Sequence, residues 1–381
     1  MIQHKCETCE HEFSNKGTYT RHMNKKVPCI KKEENVIQNV FIESSPLPIV
    51  YDNRLVKSVC PDKLSTIPKP IIKWVGGKTQ ILDKLLLEFP VEINNYREIF
   101  LGGGSVLFAL LWYVKQGIIK VNGKIYAYDL NEALIHMYIN IQTSPDDLYD
   151  IIQGLIKELH ECSDEPWNKI WNELFTNTSG KPIGKEKYYY RVRTQYNMLP
   201  ADDKNGLIGS AMFIFLNKTC FRGLYRVGPN GLNVPYGHYK NPEIINKDHL
   251  SEIHHLIQGV VFECCDFKTS LNNTCANDFI YLDPPYAPET DTSFVGYTEN
   301  GFNLESHTDL FKRIHELSEN GLFEHRVSEN NKKMLMSNAD VKLVRDNFSS
   351  DKYNITSILC KRAIHSKKPG SKAKEVIIRN Y

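Results

Sequence analysis

The sequence has no apolar run long enough to cross a bilayer. The longest near-continuous one, Ser105 to Val114, is half of what a helical span requires. An apolar signal core is missing too. Met1-Ile2-Gln3-His4-Lys5-Cys6 opens polar, so an intracellular, reducing compartment is expected, cytoplasm or nucleus unspecified. Net charge is small. At +2 there is no bulk field to attract polyanions, and any nucleic-acid contact must come from local basic surface. No internal repeat is visible. What is present is the balance of a folded chain: 41% hydrophobic against 24% charged residues argues against disorder throughout. The 381 residues suggest two or three structural units.

The ten cysteines are unevenly spread, and in a reducing compartment they read as thiols or metal ligands before disulfides. Cys6, Cys9 and Cys29 crowd the first thirty residues, with His22 between them. Cys6-x2-Cys9, then Phe13, Tyr19 and His22, is the spacing of a ββα zinc-finger module. Two cysteines sit at a hairpin, two aromatics form a minimal core, and a histidine lies one helical turn beyond Tyr19. Cys6, Cys9, His22 and Cys29 are the expected Zn2+ ligands, soft or borderline donors that suit a tetrahedral ion. Cys29 departs from the common pattern, in which a histidine comes sooner. Such a piece is too small to fold without metal. Its Lys16, Arg21, Lys25 and Lys26 would meet phosphates or simply form a solvated face.

From Lys31 to about Thr66 the chain is polar and irregular, punctuated by Ser44-Ser45-Pro46-Leu47-Pro48 and Ile67-Pro68-Lys69-Pro70, and reads as a linker. After Pro70, strand-like and helical runs alternate. Ile125 to Tyr128, Asp278 to Leu282 and Met334 to Ser337 look like buried parallel strands. Leu82 to Leu87, Leu107 to Tyr113 and Leu304 to Leu317 look helical. The alternation argues for a layered α/β sheet.

Asp283-Pro284-Pro285-Tyr286 follows directly on one of these strands, and strand ends are where open α/β sheets bind ligands. Consecutive prolines hold the backbone stiff, so acceptors near Asp283 and Pro284 are fixed. An aromatic amine has its lone pair delocalised into the ring. Two acceptors on its hydrogens favour the pyramidal, nucleophilic form, and Tyr286 offers a face on which a base can stack. A sulfonium methyl donor needs no covalent intermediate, so positioning and electrostatics suffice. The bland alternative is a strand-to-loop turn capped by prolines. Two further segments accompany the tetrad. Glu98-Ile99-Phe100-Leu101-Gly102-Gly103-Gly104-Ser105 is a glycine-rich strand-to-helix turn. Tyr126-Ala127-Tyr128-Asp129-Leu130-Asn131 ends a strand with an acid, the place that commonly holds ribose hydroxyls.

Lys73-Trp74-Val75-Gly76-Gly77-Lys78, Phe100-Leu101-Gly102-Gly103-Gly104, Asp129-Leu130-Asn131, Asn217 to Tyr239, Asp283-Pro284-Pro285-Tyr286, Met336-Ser337-Asn338 and Arg362-Ala363-Ile364 stand in one order. Together they resemble the Dam-type (D12 class, group alpha) DNA adenine-N6 methyltransferases. The resemblance covers residues 68 to 381. It implies S-adenosylmethionine as cofactor, held by Trp74, Lys78, Phe100, Gly102, Gly104, Asp129, Asp266, Phe267 and Asp283. It implies catalysis by Asp283, Pro284, Pro285 and Tyr286. Ile99 stands where the family often has proline.

An adenine amine is out of reach inside a stacked duplex, so the base must be extruded. Residues 131–247 interrupt the sheet pattern and are largely helical, as a target-recognition insert would be. Lys181 to Leu250 holds eleven Lys/Arg against five Asp/Glu, interleaved with Tyr188, Tyr189, Tyr190, Tyr196, Phe221, Tyr225, Tyr236 and Tyr239. Basic residues suit phosphates, and rigid aromatics can wedge or stack. Asn217 to Tyr239 resembles the family's groove-entering hairpin. By that likeness Lys73, Arg222, Leu224, Arg226, Pro235, His238 and Tyr239 contact double-stranded DNA, with Lys73 and Arg226 reading bases in GATC. Arg222 stands where the family often has asparagine. A monomer is expected, and a cognate restriction nuclease is a further partner the sequence leaves open.

The expected architecture is therefore α/β: a Rossmann-like methyltransferase sheet with a largely helical insert, preceded by a small ββα zinc finger. Its parts are the finger (1–32), the linker (33–67), the first core segment (68–130), the insert (131–247) and the second core segment (248–381). Cytosine-C5 transfer needs a nucleophilic thiol, and Pro28-Cys29 lies in the metal cluster. Asp283 argues against cytosine-N4 transfer. A catalytically silent zinc-finger DNA-binding protein on the same scaffold is the alternative.

Overall fold

The computed structural model describes residues 4–6, 12–13, 15–24, 54–59, 64–162, 184–288, 302–319, 332–361 and 372–381. The chain divides into two compact units, Met1–Val50 and Tyr51–Tyr381.

In the first unit, β1 (His4–Lys5) and β2 (Glu12–Phe13) pair antiparallel, and helix α1 (Lys16–Met23) follows. Asn15 starts the helix: its side chain accepts the Gly17 N–H at 2.7 Å, satisfying a donor that the first turn leaves orphaned. The expected ββα order is thus present. Cys6 is buried beside the hairpin, and His22 sits in the last turn of α1. Cys9 and Cys29 lie outside the described residues. Among the described residues no group of three or more His, Cys, Asp or Glu is placed to hold a metal ion. The expected zinc site therefore rests on sequence spacing, to which the described residues add only the ββα order.

The second unit is built on a seven-stranded sheet. Its strands are β3 (Tyr96–Glu98), β4 (Ile125–Asp129), β5 (Val260–Cys264), β6 (Phe279–Leu282), β7 (Lys333–Ala339), β8 (Asn354–Lys361) and β9 (Lys372–Arg379). They lie in the order β8-β9-β7-β6-β3-β4-β5. The five from β7 to β5 are parallel, and β9 and β8 close one edge antiparallel. The chain starts in the middle at β3, grows outward through β4 and β5, then returns to β6 on the other side. That reversal leaves a crevice beyond the carboxyl ends of β3 and β6, where open sheets place ligands.

The run Phe279-Ile280-Tyr281-Leu282 is apolar throughout because β6 is covered on both faces. Phe279 and Tyr281 belong to one core cluster, Ile280 and Leu282 to the other. The apolar run at Ser105 becomes helix α2 (Ser105–Lys115), buried over most of its length. Among the described residues no helix is long and apolar enough to cross a membrane.

Between β4 and β5 the chain is largely helical, with α3 (Glu132–Thr143), α4 (Pro145–Glu161), α5 (Lys185–Met198), α6 (Leu207–Thr219) and α7 (Lys247–Leu256). Residues of α5 and α6, among them Tyr189, Phe213 and Phe215, share one continuous core with Phe108 of α2 and Ile152 of α4. The aromatics interleaved with basic residues do not form the DNA-facing set that the sequence suggests. Tyr188, Tyr189, Tyr190 and Tyr196 are all buried, so they do not face DNA. On a helix, positions 189, 192 and 196 share one face, and in α5 that face packs inward with Tyr188 beside it. Tyr236 is buried as well. The end of the segment read as linker also joins the core. Val56 donates its N–H to Phe89 O at 3.0 Å, and Val56 and Ile67 are buried.

Candidate active site

Asp283 leaves the end of β6 at the crevice. Its Oδ2 takes the Lys78 ammonium at 2.5 Å, and Lys78 also donates to Gly76 O at 2.6 Å. The Lys78 backbone N–H donates to Ser105 Oγ at 3.0 Å, which ties the Lys73–Lys78 segment to the start of α2. The other oxygen, Oδ1, is buried and accepts nothing. An unpaired buried carboxylate oxygen is costly unless something supplies a donor. Burial pushes the Asp283 carboxyl up to about 6, with Lys78 pulling against it and Glu375 adding to it. Holding it ionised at neutral pH costs the folded chain on the order of 3 kcal/mol.

Tyr286 lies half-buried two residues beyond Pro284. Its hydroxyl donates to Glu375 Oε2 at 2.7 Å, and the Lys78 ammonium sits 4.8 Å from its ring centre. Pro284 is buried and Pro285 partly so. The Ala287 N–H after the tetrad donates to Asn338 Oδ1 at 3.1 Å. The loop is thus held at Asp283 by Lys78, at Tyr286 by Glu375 of β9, and just beyond the tetrad at Ala287 by Asn338 of β7. Beneath them, burial pushes Glu98 well above the carboxylate range although the Tyr96 hydroxyl bonds it at 2.8 Å.

The glycine turn adjoins on the β3 side. Gly104 opens α2 at φ 74, a left-handed conformation that favours glycine, and a Cβ there would meet the Tyr138 hydroxyl at 3.0 Å. Trp74 packs on the turn, so a Cβ on Gly102 or Gly103 would lie 3.0 Å from its side chain. Asp129 closes β4 with both oxygens on backbone donors, Gly102 N–H at 2.9 Å and Asn131 N–H at 2.8 Å. Burial still raises its carboxyl. Asp266 caps helix α8 (Phe267–Asn272) through Thr269 N–H at 2.8 Å. Phe267 and Phe100 stand 6.1 Å apart, and Phe302 completes a cluster at 5.7 and 6.0 Å. The expected cofactor residues thus lie at or beside the carboxyl ends of β3, β4, β5 and β6, with Trp74 on the glycine turn and Lys78 on Asp283.

The expected DNA residues gather around Asn217 at the end of α6. Its side chain accepts Lys73 N–H and donates to Lys73 O, both at 2.8 Å, and donates to Gly223 O at 3.2 Å. Gly223 has φ 64, and a Cβ there would sit 2.4 Å from Lys73 Cβ, so only glycine allows this approach. Lys73 Nζ lies 4.4 Å from the Tyr239 ring centre, and the Tyr239 hydroxyl accepts Arg222 N–H at 2.9 Å. Arg222 adopts φ 58, a left-handed conformation in which a side chain costs roughly 1–2 kcal/mol and asparagine is better tolerated. That gives a backbone reason for the asparagine the family often has here. A two-stranded hairpin, Val227–Gly228 with Gly231–Leu232, follows. Arg226 is exposed and braced by Asn233, with Nε on Oδ1 at 2.6 Å. Pro235 O accepts Phe221 N–H at 2.8 Å, and Leu224 caps the short turn that carries Arg222. His238 is exposed, 4.0 Å from Glu186. Phe221 and Val227 are exposed apolar side chains at the hairpin root. Tyr225 packs on Trp74 at 5.4 Å between ring centres, joining the recognition side to the cofactor side.

Sequence reading gave no role to Glu98, Asn338 or Glu375. Glu98 and Asn338 lay inside quoted motifs. Glu375 sits on the antiparallel strand β9, between β8 and β7, with no local motif to mark it.

A mostly parallel α/β sheet with a glycine turn and an Asp-Pro-Pro-Tyr loop side by side at its reversal point is consistent with a methyltransferase fold. The chain belongs to the D12 class N6 adenine-specific DNA methyltransferase family, whose match spans residues 74–364. It is 34% identical to the Type II methyltransferase M.MjaIII of Methanocaldococcus jannaschii, over 82% of this chain and 99% of that protein. It is 30% identical to a DNA adenine methylase of Haemophilus influenzae, over 77% of this chain and 88% of that one. A DNA adenine methylase of Serratia marcescens is 26% identical over 73% of this chain and 86% of its own length.

Proposed function

We propose that this chain methylates the exocyclic N6 of an adenine swung out of a DNA duplex, with S-adenosylmethionine as donor and GATC as target. The observation that carries the reading is the buried, unpartnered Oδ1 of Asp283 at the end of β6, beside rigid prolines and the Tyr286 ring. An amine hydrogen supplies the donor that oxygen lacks, and the fixed proline backbone offers a second acceptor. The donor, when bound, supplies a methyl carbon already activated by its sulfonium. Trp74, Lys78, Phe100, Gly102, Gly104, Asp129, Asp266 and Phe267 would hold it along the sheet edge, and the negative charge of Asp283 suits a cation. Tyr286 gives the extruded base its stacking face, which offsets part of the few kcal/mol that unstacking costs. The test is transfer of labelled methyl to an adenine-containing duplex, with the modified base located by sequencing. Label on cytosine, or none on any duplex, overturns the reading.

Lys73 and Arg226 are the proposed base readers, supported by the bracing of each: Asn217 fixes the Lys73 backbone and Asn233 holds the Arg226 guanidinium. A guanidinium so fixed suits the two guanine acceptors in the major groove. Arg226→Ala is expected to lose about 1–3 kcal/mol of discrimination at one base pair. Rates on near-cognate duplexes then approach the cognate rate; unchanged discrimination removes the assignment.

For the first unit we propose one zinc on Cys6, Cys9, His22 and Cys29. The ββα order, the burial of Cys6 and the place of His22 on α1 support it. Elemental analysis is expected to find one zinc per chain, lost in Cys6→Ser; a chain free of metal, or an unchanged content in that variant, overturns it.

A further inference from the structure

We propose that Glu375 is a positioning residue of this site: its carboxylate, on the antiparallel strand β9, fixes the plane of the Tyr286 ring on which the extruded base stacks. The inference rests on the function proposed above and deepens it.

Tyr286 follows a stiff Pro-Pro pair, so its Cα is well placed, but its ring would still turn about two side-chain torsions. The 2.7 Å bond from its hydroxyl to Glu375 Oε2 removes that freedom at the far end of the ring. A bond to an ionised acceptor is among the stronger kinds. Ordering a side chain carries an entropic cost, and a ring fixed beforehand spares the base that cost when it arrives. The Ala287 N–H bond to Asn338 holds the backbone just beyond, so the ring is anchored on both sides. Glu375 is delivered from a distance in sequence: it pairs with Ala339 at the carboxyl end of β7, the strand next to β6.

Burial raises Asp283 most, Lys78 opposes the shift, and the Glu375 carboxylate adds a smaller upward push. Among the described residues Asp283 also faces Tyr281 and Tyr286, both raised first by burial and then by its charge, and Glu98 beneath. On its other side Glu375 meets the Cys360 thiol of β8. Placing a second negative group beside Asp283 works against the fold, which is expected of a residue kept for the Tyr286 hydroxyl.

The experiment places 2-aminopurine at the target adenine and reads its fluorescence on extrusion, with kcat and both KM values on the natural duplex. Glu375→Ala is expected to lower the fluorescence gain and to reduce kcat by about ten- to a hundredfold, with KM for the methyl donor held within about twofold. Glu375→Gln keeps an acceptor for the hydroxyl. It is expected to restore the fluorescence gain while moving the acidic limb of the rate profile to lower pH, because the charge that raises Asp283 is gone. On a Tyr286→Phe background, Glu375→Ala should add nothing, since the bond it removes is already absent. A fluorescence gain equal to the parent's in Glu375→Ala, or a full extra loss on the Tyr286→Phe background, overturns the inference and leaves the proposed activity standing. A parent protein that transfers no methyl to adenine removes both.

Discussion

Replacing Asp283 with alanine is expected to cut methyl transfer to adenine by on the order of a hundred- to a thousandfold, the scale of losing one preorganised group at a reacting centre. Asp283→Asn should lose nearly as much. The amide keeps the shape but presents a donor where an acceptor is required. Asn also spares the Lys78 ammonium the full loss of its 2.5 Å partner's shape, so the two variants separate chemistry from packing. Far-ultraviolet circular dichroism should match the parent for Asp283→Asn. Full activity in either variant would take Asp283 out of the chemistry.

The same residue sets a pH dependence. The ionised carboxylate holds Lys78 on Oδ2 and leaves Oδ1 as a pure acceptor for the amine, and burial pushes that carboxyl up to about 6. Transfer should therefore fall about tenfold per pH unit below that value. Stability runs the other way. A carboxyl raised by the fold binds its proton more tightly folded than unfolded, so the Asp283 contribution favours the folded chain at low pH. That contribution is lost as pH rises from about 4 to about 6. A rate that is flat from pH 7 to pH 5 contradicts the assignment.

The second large effect is on stability. Asp278→Ala is expected to destabilise the fold by about 3–5 kcal/mol, the range for breaking a buried ion pair by removing one partner. Asp278 and Arg97 are almost wholly buried and meet at 2.5 Å, Nε to Oδ2. Asn95 Nδ2 at 2.7 Å and Cys275 N–H at 2.8 Å also bond the Asp278 carboxylate. Arg97 in turn donates to the Tyr128 hydroxyl at 2.5 Å and lies 4.1 Å from the Tyr126 ring centre. The pair joins β3 to β6, the two strands whose far ends frame the crevice. Alanine would leave the guanidinium buried without its counter-charge. Urea unfolding measures the loss. The double change Arg97→Met with Asp278→Leu should cost clearly less than the two single changes added together, because no lone charge remains. Additive losses would mean that the two residues act separately.

Much of this protein is legible locally. The strands at Ile125, Phe279 and Met334, the helices at Ser105 and Leu304, the glycine turn and the Asp-Pro-Pro-Tyr loop all appear where periodicity and turn chemistry put them. Each depends on neighbours within a few residues: apolar runs for strands covered on both faces, glycine where φ is positive, proline where the chain must be stiff. The reading failed where one-dimensional pattern is blind to facing. Tyr188, Tyr189, Tyr190 and Tyr196 stand among basic residues in the sequence, yet α5 turns them into the core. Val56 sits in a polar stretch, yet it pairs with Phe89 and is buried.

By itself, then, the sequence determined the chemistry on offer: the acceptors, the stiff backbone, the aromatic face, the thiols of the first unit, and the family order of the motifs. Only the tertiary structure decided what those groups feel. Lys78 and Asp283 are 205 residues apart and meet because the strand order reverses between β3 and β6. Tyr286 finds Glu375 across 89 residues because an antiparallel strand is added beside β7. Burial and charge act through space and not along the chain, so the raised Asp283 carboxyl and the anchored ring exist only once the sheet has closed.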